Sequence, residues 1–141
     1  MIPNATLHHV GVATENALLE SKHWELFGLR TASDLVFDPA QRVNVLFLSD
    51  GRPGGTLIEL VEPASADAPV NAILKTQNRF YHVCFEVDDL EQAVRDARSQ
   101  GALIVQQPVK AAAYPGRRIA WCFTATRNLI ELLERERPDE R

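Results

Sequence analysis

The sequence predicts an α+β domain assembled from two copies of one unit, each a strand, a helix and three further strands. Three observations lead there. The phrase Leu7-His8-His9-Val10-Gly11-Val12 returns as Phe80-Tyr81-His82-Val83-Cys84-Phe85. The phrase Leu57-Ile58-Glu59-Leu60-Val61-Glu62 returns as Leu129-Ile130-Glu131-Leu132-Leu133-Glu134. The offsets agree: 73 positions separate His9 from His82 and Gly28 from Gly101, and 72 separate Glu59 from Glu131. Self-similarity at a fixed period marks a duplicated structural unit.

Residues 6–13 alternate and are rich in valine, which predicts a strand. Asn16 is placed to cap a helix whose apolar positions include Leu19, His23, Leu26 and Phe27, with His23 expected to pack, and Gly28 suits the left-handed position beyond its end. Strands follow near 30–37, 43–49 and 56–62, with the turn Asp50-Gly51-Arg52-Pro53-Gly54-Gly55 between the last two. Pro63 to Pro69 is small and polar and opens a linker over 63–79 that holds a short helix near 70–76. The second copy begins with a strand over 80–87. Asp88 then reads as a helix cap, with Glu91 completing a capping box. Leu90, Val94 and Ala97 form that helix's inner face, Gly101 ends it, and strands follow near 103–107, 117–124 and 128–134. The tail Arg135–Arg141 is polar apart from Pro138 and is expected to fray. One domain over 1–141 is expected, with modules at 6–62 and 80–134 joined by the linker.

The composition excludes several classes of function. With 141 residues, 45% hydrophobic and 24% charged, the chain can bury one real core. Its net charge of -4 and lack of a Lys/Arg run before the tail argue against a nucleic-acid partner. No apolar stretch approaches the roughly 20 residues that span a bilayer. Met1-Ile2-Pro3-Asn4 lacks the basic and apolar regions of a signal peptide, so a cytoplasmic location is expected. Cys84 and Cys122 sit in apolar strand-like runs and are expected to be reduced core thiols.

Side chains alternate between the faces of a strand, and this sorts the chemistry. His9 shares a face with Gly11 and Ala13, and His82 shares one with Phe80, Cys84 and Glu86. Glu59 lies with Leu57 and Val61, and Glu131 with Leu129 and Leu133. A carboxylate framed by apolar neighbours in mid-strand is costly unless paired or bound to a cation. A single strand His is ordinarily a structural group and a single Glu ordinarily a solvated one. Four at matching places in two similar units instead form a credible divalent-metal set: His9, Glu59, His82 and Glu131. Imidazole and carboxylate ligands suit Zn, Mn, Fe, Co or Ni and do not choose among them. His8 should point to the opposite face as a packing or rim residue, and Glu62 and Glu134 should reach solvent at their strand ends. Glu86 is open between a supporting partner of His82 and a solvated group. Arg117 and Arg118, after Tyr114-Pro115-Gly116, are open between a clamp for a ligand's carboxylate or phosphate and a solvated hairpin.

Together, His8-His9-Val10-Gly11-Val12-Ala13, Leu57-Ile58-Glu59-Leu60, Tyr81 to Leu90 and Leu129 to Glu134 resemble the vicinal oxygen chelate superfamily, over nearly the whole chain. That group includes glyoxalase I, methylmalonyl-CoA epimerase, extradiol dioxygenases and bleomycin-resistance proteins. The resemblance implies tandem βαβββ modules whose mixed sheet curls around a metal-binding cleft. It implies His9, Glu59, His82 and Glu131 as ligands of one divalent ion (Zn, Co, Ni, Mn or Fe), and Glu131 also as general base. The Asp88-Asp89-Leu90 and Glu62-Pro63 phrases look most like the epimerase branch. The implied activity is proton abstraction beside a carbonyl through a metal-stabilised enediolate, on an acyl-CoA thioester. A glyoxalase I-type lactoylglutathione lyase acting on a thiol adduct is the alternative, and a small-molecule binding or resistance protein without catalysis a second one. The family also implies a homodimer, while the charge and hydropathy above lead to the expectation of no nucleic-acid or membrane partner. One departure stands out: some epimerases carry an acid in the third strand, where this chain offers Val45, with Asn44 beside it.

Overall fold

A computed structural model describes residues 1–137, and its contacts divide the chain into two units, 8–82 and 1–7 together with 83 onward. The first contains most of β1 (Thr6–Ala13), then α1 (Ala17–Trp24), a 3₁₀ turn (Glu25–Phe27), β2 (Arg30–Thr31), β3 (Val36–Asp38), β4 (Val43–Ser49), β5 (Leu57–Pro63) and α2 (Asn71–Leu74). The strand order is β2-β4-β5-β1, with β3 also on β4. β1 and β5 run parallel, while β4 is antiparallel to β5. Alternation then sends Val12, Leu46, Leu48, Leu60 and Ile58 to one face, where they pack with Ala17, Trp24 and Leu29.

Two expectations about this unit are corrected. The strand expected over 30–37 is broken into β2 and β3. Between them the Ser33 hydroxyl takes the Phe47 N–H at 3.0 Å, so a side chain replaces a backbone carbonyl in the ladder. The helix also turns a different face inward. Ala17 and Ser21 are buried and Trp24 half-buried, while His23 is exposed and Leu19, Leu26 and Phe27 are 62%, 82% and 73% exposed. The cause lies at the N-terminus of α1. Asn16 caps Leu19 N–H as expected, and the Glu62 carboxylate accepts the Ala17 N–H at 2.7 Å, pinning Ala17 against the sheet. Small side chains at 17 and 21 then let the helix approach closely.

The second unit holds β6 (Phe80–Val87) from Val83 onward, α3 (Leu90–Ser99), β7 (Leu103–Lys110), β8 (Arg118–Phe123) and β9 (Leu129–Glu134). The order is β6-β9-β8-β7, with β6 and β9 parallel and the other neighbours antiparallel. Val87, Ala120 and Leu132 pack against Leu90, Ala93 and Val94 of α3. Strands and helices in both units give the α+β class and the mixed pairing the sequence predicts. Asp89, not Asp88, caps α3, accepting the Gln92 N–H at 3.0 Å. Asp88 is occupied elsewhere: it accepts Asn4 Nδ2 at 3.0 Å and pairs with Arg135, whose guanidinium also reaches the Asn4 carbonyl and the Thr6 hydroxyl. Arg135 is therefore tied down rather than frayed, and the rest of the expected frayed tail from Pro138 lies outside the described residues. Among the described residues no helix is long and apolar enough to cross a membrane.

Candidate metal centre

Three of the four sequence-predicted ligands meet within the first unit. Parallel pairing of β1 with β5 sets Gly11 opposite Glu59, so the side chains at 9 and 59 share a face. His9 Nε2 stands 3.6 Å from one Glu59 oxygen, His82 Nε2 stands 3.4 Å from the other, and the two Nε2 atoms are 3.1 Å apart. All three residues are buried. Two ligands each about 2.0–2.1 Å from one ion stand about 3 Å apart, the spacing seen here. The donor chemistry agrees, because two imidazole nitrogens and a carboxylate suit a borderline divalent ion.

The remaining neighbours explain how the group is held. An ideal Cβ on Gly11 would lie 2.3 Å from His82 Cε1 and 2.4 Å from its Nδ1, so the absent side chain is the space the imidazole occupies. Phe47, opposite Glu59 on β4, sets its ring edge-on to His9 with centroids 5.4 Å apart. Tyr81 and His8 bring further edge contacts to His82 and His9. His8 does not simply point away. Its Nδ1 lies 2.8 Å from His9 Nδ1, on the side of the His9 ring remote from Glu59.

Glu131 lies on β9 of the second unit, buried, in surroundings that repeat those of Glu59. Gly11, two residues after His9, faces Glu59 across a parallel pair; Cys84, two residues after His82, faces Glu131 across another. On the antiparallel side Glu59 faces Phe47 and Glu131 faces Trp121. Both aromatics are buried. Sequence reasoning missed Gly11 and both aromatics, although Phe47 and Trp121 recur at nearly the offset of the ligands.

The outlying charges have other partners. Arg117 donates to Glu86 at 2.6 Å and to the Glu134 carbonyl at 2.7 Å, with its guanidinium 5.2 Å from the Tyr114 ring centre. Arg118 pairs with Glu134 and Glu91, which raise its already high pKa further. Glu134 is thus tethered rather than solvated. Glu62 also differs from its expected solvated role: it accepts from Ala17 N–H and from Asn44 Nδ2. Cys84 and Cys122 are buried thiols, and burial pushes the Cys122 pKa up.

A profile of the Glyoxalase/Bleomycin resistance protein/Dioxygenase superfamily matches residues 8–121. The chain belongs to this family. Among individual relatives, it is 29% identical to mitochondrial methylmalonyl-CoA epimerase of Mus musculus over 111 residues, 77% of this chain and 60% of that protein. It is 30% identical to the mitochondrial methylmalonyl-CoA epimerase of Dictyostelium discoideum over 135 residues, 92% of this chain and 78% of that one. The chain thus spans about three fifths of the mouse relative's length. The crystal structure of methylmalonyl-CoA epimerase from Mycobacterium tuberculosis superposes with a TM-score of 0.79 at 23% identity, covering 93% of this chain and 88% of that one. That likeness establishes the fold.

Proposed function

We propose that this protein is a metal-dependent isomerase that moves a proton on the carbon next to a carbonyl, and that its substrate is an acyl-CoA thioester of the methylmalonyl-CoA kind. The observation that carries the reading is the convergence of His9, Glu59 and His82, with Nε2 atoms 3.1 Å apart beside a buried carboxylate. The epimerase relatives supply the substrate class. His9, Glu59, His82 and Glu131 would hold one divalent ion (Zn, Co, Ni, Mn or Fe). The repeated strand register around Glu59 and Glu131 supports the fourth ligand. When bound, the ion supplies Lewis-acid stabilisation of the charge that proton removal places on carbonyl oxygen, an effect worth several kcal/mol.

The protein's own groups do the rest. Glu131 is the base that takes the proton. Buried Phe47 stands opposite Glu59, and buried Trp121 opposite Glu131, so each carboxylate has an apolar neighbour in which its electrostatic interactions are stronger than in water. Arg117 and Arg118 support the 111–118 segment through Glu86, Glu91 and Glu134; contact with a substrate phosphate or carboxylate would require one of them to leave these partners.

A second reading is favoured by one observation. Epimerisation removes a proton from one face of a carbon and returns it to the other, which calls for two opposed proton carriers. On β4, the face shared with Phe47 also carries Val45 and Val43, all buried and apolar. A glyoxalase-type lyase acting on a thiol adduct can return the proton on the same side with one base, and this face suits it. Turnover decides. In deuterium oxide, exchange at C2 of methylmalonyl-CoA with inversion supports the epimerase. Conversion of the methylglyoxal–glutathione hemithioacetal supports the lyase. Glu131→Gln should abolish whichever exchange is found while Glu25→Gln, on the surface, leaves it intact; equal effects of the two would remove Glu131 as base. Tight ligand binding without turnover, indifferent to chelator, would leave a sequestering protein.

A further inference from the structure

We infer that His8 is a positioning residue for His9: it accepts a hydrogen bond from His9 Nδ1–H and thereby keeps a lone pair on His9 Nε2, the atom that faces Glu59 and His82. The inference rests on the metal-centre reading above. It starts from the 2.8 Å separation of the two Nδ1 atoms, short enough that a proton must lie between them. Of two neutral imidazoles sharing that contact, one donates and the other accepts. A neutral imidazole carries only one ring proton, so the donor at Nδ1 keeps a bare Nε2. His9 is the ring whose Nε2 points at the site, 3.1 Å from His82 Nε2 and 3.6 Å from Glu59. His9 can bind a cation there only with its proton on Nδ1, and His8 Nδ1 is the acceptor placed to receive it.

The same tautomer assigns the next contact. With His9 Nε2 bare, the metal-free pair at 3.1 Å must have His82 donating from its Nε2. The proton order then runs His82 Nε2–H to His9 Nε2, and His9 Nδ1–H to His8 Nδ1, with His8 protonated at Nε2. His8 is half-buried beside fully buried His9, and the rings meet edge to face at 78°. Partners of this kind fix the ring orientation and tautomer of a ligating histidine, and losing one typically weakens metal binding 10–100-fold. In the second copy Tyr81 occupies the place that His8 holds in the first. The residue before each imidazole thus differs, and the absent Gly11 side chain gives the His82 ring its room.

The test compares the full chain with His8→Leu, which removes the acceptor, and His8→Asn, whose side-chain oxygen can accept from the place of Nδ1. Zinc affinity is measured by competition with a chelating dye, and ring tautomers by nitrogen-15 spectra of metal-free protein. Expected results are a His9 Nδ1–H signal in wild type, zinc binding weakened 10–100-fold in His8→Leu, and most of that loss recovered in His8→Asn. A His9 Nε2–H tautomer in wild type would overturn the inference. So would zinc binding in His8→Leu equal to wild type, or equal weakening in both variants. If wild type binds no zinc while His9 shows the Nδ1–H signal, the metal reading fails and the His8–His9 pairing stands.

Discussion

Replacing Gly11 with alanine isolates the geometry of the centre from its chemistry, because no ligand changes. The added Cβ would stand 2.3 Å from His82 Cε1, 2.4 Å from Nδ1 and 2.9 Å from Nε2. Ordinary carbon contacts begin near 3.5 Å, so the imidazole must withdraw by more than about 1 Å. Ligand positions in a metal site hold to about 0.2 Å, so a shift of this size would take His82 out of reach of an ion held by His9 and Glu59. Overpacking costs about 1–3 kcal/mol of stability, offset in part by the better strand propensity of alanine. The control is Gly28→Ala. Gly28 has φ +83 with nothing within 4 Å of its Cβ, so that change strains the helix terminus and leaves the centre alone. Zinc titration and thermal melting of both variants give the answer. Gly11→Ala should lose most zinc affinity, while Gly28→Ala should lose stability and bind zinc normally. Wild-type affinity in Gly11→Ala would refute the argument that the glycine makes room for His82.

The other expectations are simpler. Glu62→Ala removes the acceptor at the N-terminus of α1 and should cost about 0.5–2 kcal/mol in chemical denaturation without altering zinc binding. Leu60→Ala, in the core beneath α1, should cost about 2–5 kcal/mol by the same measurement. Hydrogen bonding from Asn4, and then Arg135, holds the Asp88 carboxyl below its ordinary pKa. A lowered folded pKa gives stabilisation that is complete above the unfolded value and is lost as pH falls through the folded one. Asp88→Asn should therefore flatten the loss of stability seen in acid below the ordinary carboxylate range, and melting curves over that range check it. Zinc at 100 times its dissociation constant should raise stability by about 2.7 kcal/mol, and a chelator should reverse the gain.

The strands, and the faces that carry the candidate ligands, were legible because both obey a short rule. Period-two alternation put His9, Glu59, His82 and Glu131 opposite the helix-facing positions, and Val12, Leu60 and Leu132 do pack toward the helices. The inner face of α1 was not legible. Hydrophobicity pointed to Leu19, Leu26 and Phe27, but helix rotation is set by a long-range bond from Glu62, 45 positions from Ala17. The same cause hid the cap of α3: Asp88 and Asp89 are chemically alike, and only Asn4 and Arg135, remote in sequence, draw Asp88 away. His8 is half-buried, as a packing or rim residue would be, but its ring reaches His9, because alternation fixes where Cβ points and not where a ring at the end of χ2 arrives. Gly11 carries no functional group, so only the atoms around it reveal its role.

The most direct test of the central claim is the metal content of the purified full chain, measured by elemental analysis beside a His9→Ala/His82→Ala double variant. The account predicts one divalent ion per chain in the wild type and none in a folded double variant. A folded wild-type protein that takes up no ion after reconstitution with Zn, Co, Ni, Mn and Fe would contradict it.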